Sequence, residues 1–204
     1  MPGGVPTAPR RAHTVQTVGG PGCLRVTVDT LGNLCGYQGW SIVEANPTVG
    51  VAHEPMGIVA PPAPLHSSCL VLECFGFNSL PERRLVLVGD LNIAPLDNDV
   101  WSHQQLLDVV SHTPIEVARL TGLYQTLNWV DAVRHFVPPE QKLYTWWSYR
   151  ARDWALSDRG RRLDHIWVTP PLAPRLSAVQ VLKEARGWSP KPSDHVPVIV
   201  DLAG

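Results

Sequence analysis

Apolar runs of strand length recur through the second part of this 204-residue chain. Leu85 to Val88 is a near-continuous branched run, the pattern of a central strand covered on both faces. Leu143 to Trp147, Leu163 to Val168, Leu176 to Val181 and Val196 to Leu202 read as further strands. Between them the spacing predicts a short helix over His103 to Val110. A second should start at Pro114, capped by Thr113 with Glu116 three residues on, and Ile115, Ala118 and Leu120 are its expected buried positions. Trp129 to Phe136 predicts one or two more helical turns. Arg150 to Arg162 alternates charged and small residues, which predicts an exposed excursion. Strands interleaved with short helices imply α/β layering, with helices outside sheets.

The first 80 residues are of another kind. They hold 7 charged residues against 28 in residues 81 to 204, no lysine, all four cysteines and 11 of the 16 glycines. Residues 1 to 22, rich in Pro, Gly and Thr, predict a loosely held arm. Leu24 to Val28 and Trp40 to Val43 predict short strands. Ser68 to Phe75 predicts a buried one in which Glu73 sits awkwardly. The expected organisation is therefore an atypical Pro/Gly/Cys-rich segment over 1–80 and a folded α/β portion over 81–204.

Length allows one domain, at most two. Lys plus Arg is 17 and Asp plus Glu 18, so a net charge of -1 provides no global pull toward nucleic acid. A partner's phosphates would have to be met by a local patch. Cys23, Cys35, Cys69 and Cys74 form no C-x-x-C pair and are read as reduced thiols. With no membrane-length apolar window and no leader pattern, a soluble cytoplasmic monomer is expected.

Chemistry concentrates at the strand ends. Asp90 and Asn92, two apart at the exit of a strand, share a side-chain direction. A carboxylate there orients or deprotonates a water, and the amide donates to a phosphate oxygen; the plainer alternative is a capped turn. Asp164 heads the next strand, and Asp194-His195 precedes the last. Asp164 is either a cap or the carboxylate that fixes the tautomer of His195 and favours its imidazolium, which would stabilise charge on a phosphorane. Oxygen-rich and cysteine-free, such a site favours magnesium or manganese, with Asp90 and Asp194 as candidate ligands. Trp146, Trp147, Arg150, Arg159, Arg161 and Arg162 lie within a short aromatic and basic stretch suited to gripping a DNA backbone. The plainer alternative is core tryptophans and surface arginines.

Taken in order, GDLNIAP (89–95), YTWWSYR (144–150), GRRLDHIWV (160–168) and KPSDHVPV (191–198) resemble the exodeoxyribonuclease III family of abasic-site endonucleases, within the endonuclease/exonuclease/phosphatase superfamily. The likeness runs from about Pro81 to Leu202. It implies a four-layer α/β sandwich of two packed, mostly antiparallel sheets, of which this chain carries the C-terminal part. It implies Asp90 as the water-orienting aspartate, Asn92 as its phosphate-binding partner and Asp164 as the carboxylate on a catalytic His195. Asp194 would lie near the metal, and Trp146 and Trp147 would line an abasic-sugar pocket. The implied reaction is magnesium-dependent hydrolysis of double-stranded DNA, 3′ to 5′ or 5′ to an abasic site.

The family's N-terminal asparagine, its glutamine-glutamate pair with the metal-binding glutamate, and its Tyr-x-Pro-x-Gly tyrosine have no match in residues 1–80. Asn33, Glu44 and Glu73 have the chemistry without the surroundings. With the composition break, this pattern is what an altered frame, a wrong start or a fusion produces. Two alternatives to a working nuclease therefore stand: an inactive remnant with residual DNA binding, and a phosphatase acting on a small phosphoester.

Overall fold

The computed structural model describes residues 82–203 except Lys191, together with the backbone of β1 (Leu24–Val28) and β2 (Trp40–Glu44). The expected arm at 1–22, the expected strand at Ser68 to Phe75, Asn33 and the side chains of Glu44 and Glu73 lie outside the described residues.

Among the described residues, two larger antiparallel sheets organise the fold. The longer runs β2-β3-β7-β4, with β3 at Leu85–Asp90, β4 at Val130–Asp131 and β7 at Asp164–Val168. The other runs β1-β9-β8, with β8 at Leu176–Val181 and β9 at Val198–Leu202. A small pair joins β5 (Trp146–Trp147) to β6 (Gly160–Arg161).

Alternation along β3 and β7 explains the layering, because successive side chains face opposite ways. Val86, Val88, Ile166 and Val168 face one way and meet Val198, Val200, Leu202 and Leu176 of the second sheet in one core. Leu85, Leu87 and Trp167 face the other way and pack under α2 (Pro114–Thr126), against Leu120, Leu123 and Leu127. Every residue of β3 is buried, as its unbroken apolar run predicted. The result is sheet on sheet with a helix outside, the expected α/β sandwich.

Several local expectations need correction. The capping box of α2 is present, Glu116 Oε2 accepting from both the Thr113 backbone N–H (3.1 Å) and its hydroxyl (2.6 Å). Its buried stripe, however, is Leu120, Leu123 and Leu127, whereas Ile115 and Ala118 are exposed. The helix over His103 to Val110 is shorter: α1 covers His103–Leu106. Trp129 to Phe136 is not helical at its start, because Val130 pairs with Val168 and the Asp131 carboxylate then caps a turn at Val133 and Arg134. The stretch Arg150 to Arg162 is no simple excursion. It contains α3 (Trp154–Ser157) and β6, and its last residue turns into the interior.

Candidate active site

Register brings the chemistry together. Asp90, at the end of β3, pairs directly with Asp164 at the start of β7, so two carboxylates stand opposite each other on the inner face. His195 reaches them because the chain before β9 zips onto β5. Trp147 N–H donates to Asp194 O (2.9 Å), Val196 N–H donates to Thr145 O (2.8 Å), and Trp146 bridges His195. His195 Nδ1 lies 2.9 Å from Asp164 Oδ2, and its Nε2 lies 3.8 Å from Asp90 Oδ2. A buried carboxylate behind an imidazole whose other nitrogen faces the site is the arrangement that holds a histidine in one tautomer and favours its charged form.

The loop after β3 completes the site. Gly89 has φ 146 and Asn92 has φ 54, both in the left-handed half of backbone space, and for Gly89 the missing Cβ makes that conformation accessible. The Asn92 N–H donates to Asp90 Oδ1 at 2.9 Å. Two buried atoms beside this pair lack a well-formed hydrogen bond: Asn92 Nδ2, close enough to Asp90 to help its carboxylate ionise, and Asp164 Oδ1. Buried polar groups are rarely left in this state, so both are suited to meeting a ligand.

Electrostatics follow from the crowding. Burial, reinforced by the facing Asp164 charge and opposed by His195, raises Asp90 to about 7. Burial disfavours charge on His195, but the carboxylates of Asp164, Asp90 and Asp194 outweigh it and lift the imidazole to about 9. At neutral pH the site thus holds an imidazolium beside a carboxyl poised to ionise.

The donor set suits a hard divalent cation. Among the described residues, one group of three presents ligand atoms within 4.8 Å of one another, and it is Asp90, Asp164 and His195. Asp164 Oδ1 is buried and free to coordinate, next to Asp90. Asp194, expected as the C-terminal metal ligand, is outside this group: its Oδ2 accepts from the Trp146 indole at 2.9 Å. Asp194 stays close enough for its charge to help raise His195.

The six expected DNA contacts divide. Trp146 is half-buried beside the site with the Arg161 guanidinium over its ring, and Arg150 and Arg159 are exposed. Arg159 lies over Trp101, 4.6 Å from the ring centroid. Trp147 is corrected to a core residue, 2% exposed and donating to Asp158. Arg162 is corrected more strongly. It is 1% exposed and bound to Asp131 Oδ2 (2.6 Å) and Asp99 Oδ2 (3.0 Å), so it cannot reach a backbone phosphate.

Thr145 has a structural role that no local sequence pattern announces. Its hydroxyl accepts from the N–H groups of Leu163 (3.0 Å) and Asp164 (3.1 Å), while its backbone joins Arg161 and Val196. One residue thereby locks the segments of Asp164 and His195 together. It stands inside the quoted YTWWSYR stretch, but only long-range pairing gives a threonine this role.

A profile of the Endonuclease/Exonuclease/phosphatase family matches residues 69–195. The exodeoxyribonuclease III of Haemophilus influenzae is 32% identical over 120 residues, 56% of this chain and 44% of that protein. The exodeoxyribonuclease of Bacillus subtilis is 29% identical over 119 residues, 57% and 44%. Among solved structures, an AP endonuclease from Archaeoglobus fulgidus superposes with TM-score 0.58 at 28% identity, over 67% of this chain and 51% of that one. The 3′ phosphatase NExo from Neisseria, bound to a product DNA hairpin, gives TM-score 0.58 at 30% identity, over 68% and 53%. The chain spans about half the length of these relatives.

Proposed function

This chain belongs to the Endonuclease/Exonuclease/phosphatase family, and we propose that it is a DNA-repair nuclease that hydrolyses phosphodiesters in double-stranded DNA. The carrying observation is the His195–Asp164 pair facing Asp90 across the strand ends. The preferred substrates are duplexes with an abasic site, incised on its 5′ side, or with a 3′ end to be trimmed. Relatives named for abasic-site and 3′-end chemistry support that choice.

The residues divide the work. Ionised Asp90 orients a water toward phosphorus and takes its proton. Asn92 Nδ2 donates to a non-bridging phosphate oxygen without adding negative charge. His195, held by Asp164, places its imidazolium where charge grows as the new P–O bond forms and the bond to the 3′ oxygen breaks. A magnesium or manganese ion, held by Asp90 and Asp164, would supply neutralisation of phosphate charge. Exposed Arg150 and Arg159, with Trp146 and Arg161, would supply the surface for DNA.

The test is cleavage of a duplex with one abasic analogue. Incision is expected with Mg²⁺, lost in chelator and lost in Asp90→Asn, with no phosphate released from small esters. Soluble protein that binds the duplex without cutting it would favour the inactive remnant, and release of phosphate from small esters would favour the phosphatase reading.

Metal affinity should depend on pH in a defined direction. Asp90 carries a proton below about 7 and must lose it to coordinate. Binding of Mn²⁺, followed by its electron paramagnetic resonance signal, is expected to tighten as pH rises from 6 to 8 and to lose this dependence in Asp90→Asn. Flat affinity across that range in the wild type would count against Asp90 as a ligand.

A further inference from the structure

Two histidines outside the cluster hold consecutive carbonyls of the loop that carries Asn92. His165 Nε2 lies 2.8 Å from Ile93 O, and His112 Nδ1 lies 2.6 Å from Ala94 O. A carbonyl oxygen only accepts, so in each contact the ring nitrogen must carry the proton. His165 is thereby the Nε2–H tautomer, while His112 donates through Nδ1.

The remaining nitrogens agree. His165 Nδ1 is buried without a partner, as the bare lone pair of a neutral ring. His112 Nε2 faces His103 Nδ1 at 2.9 Å, and that nitrogen lies 3.2 Å from Asp97 Oδ1. The pair therefore reads as His103 donating to His112, with Asp97 as a second acceptor for the same hydrogen.

Placement gives these contacts their consequence. His165 follows Asp164 on β7 but points to the opposite face, toward Trp167 and the helix layer. His112 sits in the turn before α2, whose Ser111 carbonyl also accepts from Ala94 N–H at 2.8 Å. Both rings are buried, at 0% and 2% exposure. Between Asp90 and these two anchors stands Asn92 in the left-handed conformation, which asparagine tolerates better than most side chains.

We propose that His165 and His112 are positioning residues, a pair of carbonyl clamps that fix the loop and so aim the Asp90 carboxylate and the Asn92 amide, with His103 seating His112. The catalytic consequence rests on the nuclease reading above; the clamp itself does not.

The test uses amides that place a donor where only one ring nitrogen stood. Glutamine reaches the position of Nε2, and asparagine that of Nδ1. His165→Leu and His112→Leu are expected to lower kcat on the abasic duplex about 10- to 100-fold, with KM within about twofold. His165→Gln and His112→Asn should recover most of the rate, whereas His165→Asn and His112→Gln should not. Full kcat in the folded leucine variants, or equal recovery by both amides, would overturn the proposal. Two readouts need no catalysis. Long-range ¹⁵N–¹H spectra of the full wild-type chain should show His165 protonated at Nε2 and His112 at Nδ1. Exchange of the Asn92 amide should speed up about tenfold in the leucine variants. If the wild type cuts nothing, the nuclease reading fails and these spectra still decide the clamp: opposite tautomers, or unchanged exchange, would remove it. If a leucine variant does not fold, the amide pairs and the wild-type spectra decide.

Discussion

Replacing Asp164 with asparagine is expected to slow cleavage of the abasic duplex by about 10³- to 10⁴-fold while leaving the chain folded. The side chain is 1% exposed and its segment is held through the Thr145 hydroxyl, so the isosteric amide fits the same space. What changes is charge. His195 owes its value of about 9 to the Asp164 carboxylate, helped by Asp90 and Asp194, against the opposing effect of burial. With an amide there, the ring is neutral at pH 7.5 and is free to present the wrong tautomer to the site. The wild-type rate should rise with pH through about 7 as Asp90 ionises and fall through about 9 as His195 loses its proton. In Asp164→Asn the falling limb should move to lower pH. The stability linkage has a definite sign. A histidine whose folded value lies above its unfolded 6.5 stabilises the fold fully below 6.5, and that contribution disappears as pH rises through about 9. The wild-type urea midpoint should therefore decline across that window, and the variant's should decline less. An unmoved basic limb in the rate profile would show that His195 does not act as the imidazolium.

What the sequence could show depended on the range of the interaction. The buried β3 run, the capping box at Thr113 and Glu116, and the bounds of β8 are local patterns, so periodicity and cap chemistry sufficed. The ordered set of Asp90, Asn92, Asp164 and His195 was legible because strand ends in an alternating sheet put such residues at one edge, and register then paired Asp90 with Asp164. Direction of burial was less accessible. Ile115 looked like core by its spacing, yet α2 rotates its Leu120, Leu123 and Leu127 stripe onto the sheet and leaves Ile115 outside. Trp129 to Phe136 has helical composition, but a two-residue pairing with β7 and the Asp131 cap override it. Arginines were hardest, since the same residue type in GRRLD gives a half-exposed Arg161 and a fully enclosed Arg162. Only the placement of Asp99 and Asp131, 63 and 31 residues distant, separates them.

That separation gives the largest expected effect on stability. Arg162→Met should destabilise the chain by about 3–5 kcal/mol, because it strips a buried cation from the enclosed Asp99 and the largely buried Asp131. Asp99 is 0% exposed and would keep Arg134; Asp131 would lose its only ion pair among the described residues. The attraction is evident in Asp131, which burial would push up but which the Arg162 charge pulls below the usual carboxylate value. The network also touches the site: Arg162 N–H donates to Asp99 O at 2.7 Å, two residues before Asp164 enters β7. Urea unfolding at neutral pH measures the effect, with two companion variants to locate it. Arg159→Ala, exposed above Trp101, should leave the unfolding free energy unchanged within about 0.5 kcal/mol and instead weaken duplex binding. Arg162→Met combined with Asp131→Asn should recover part of the loss, because one of the stranded charges is then gone. If Arg162→Met matched Arg159→Ala in stability and lost DNA affinity instead, Arg162 would be a surface contact after all, and the interior network would not be the frame on which β7 and Asp164 rest.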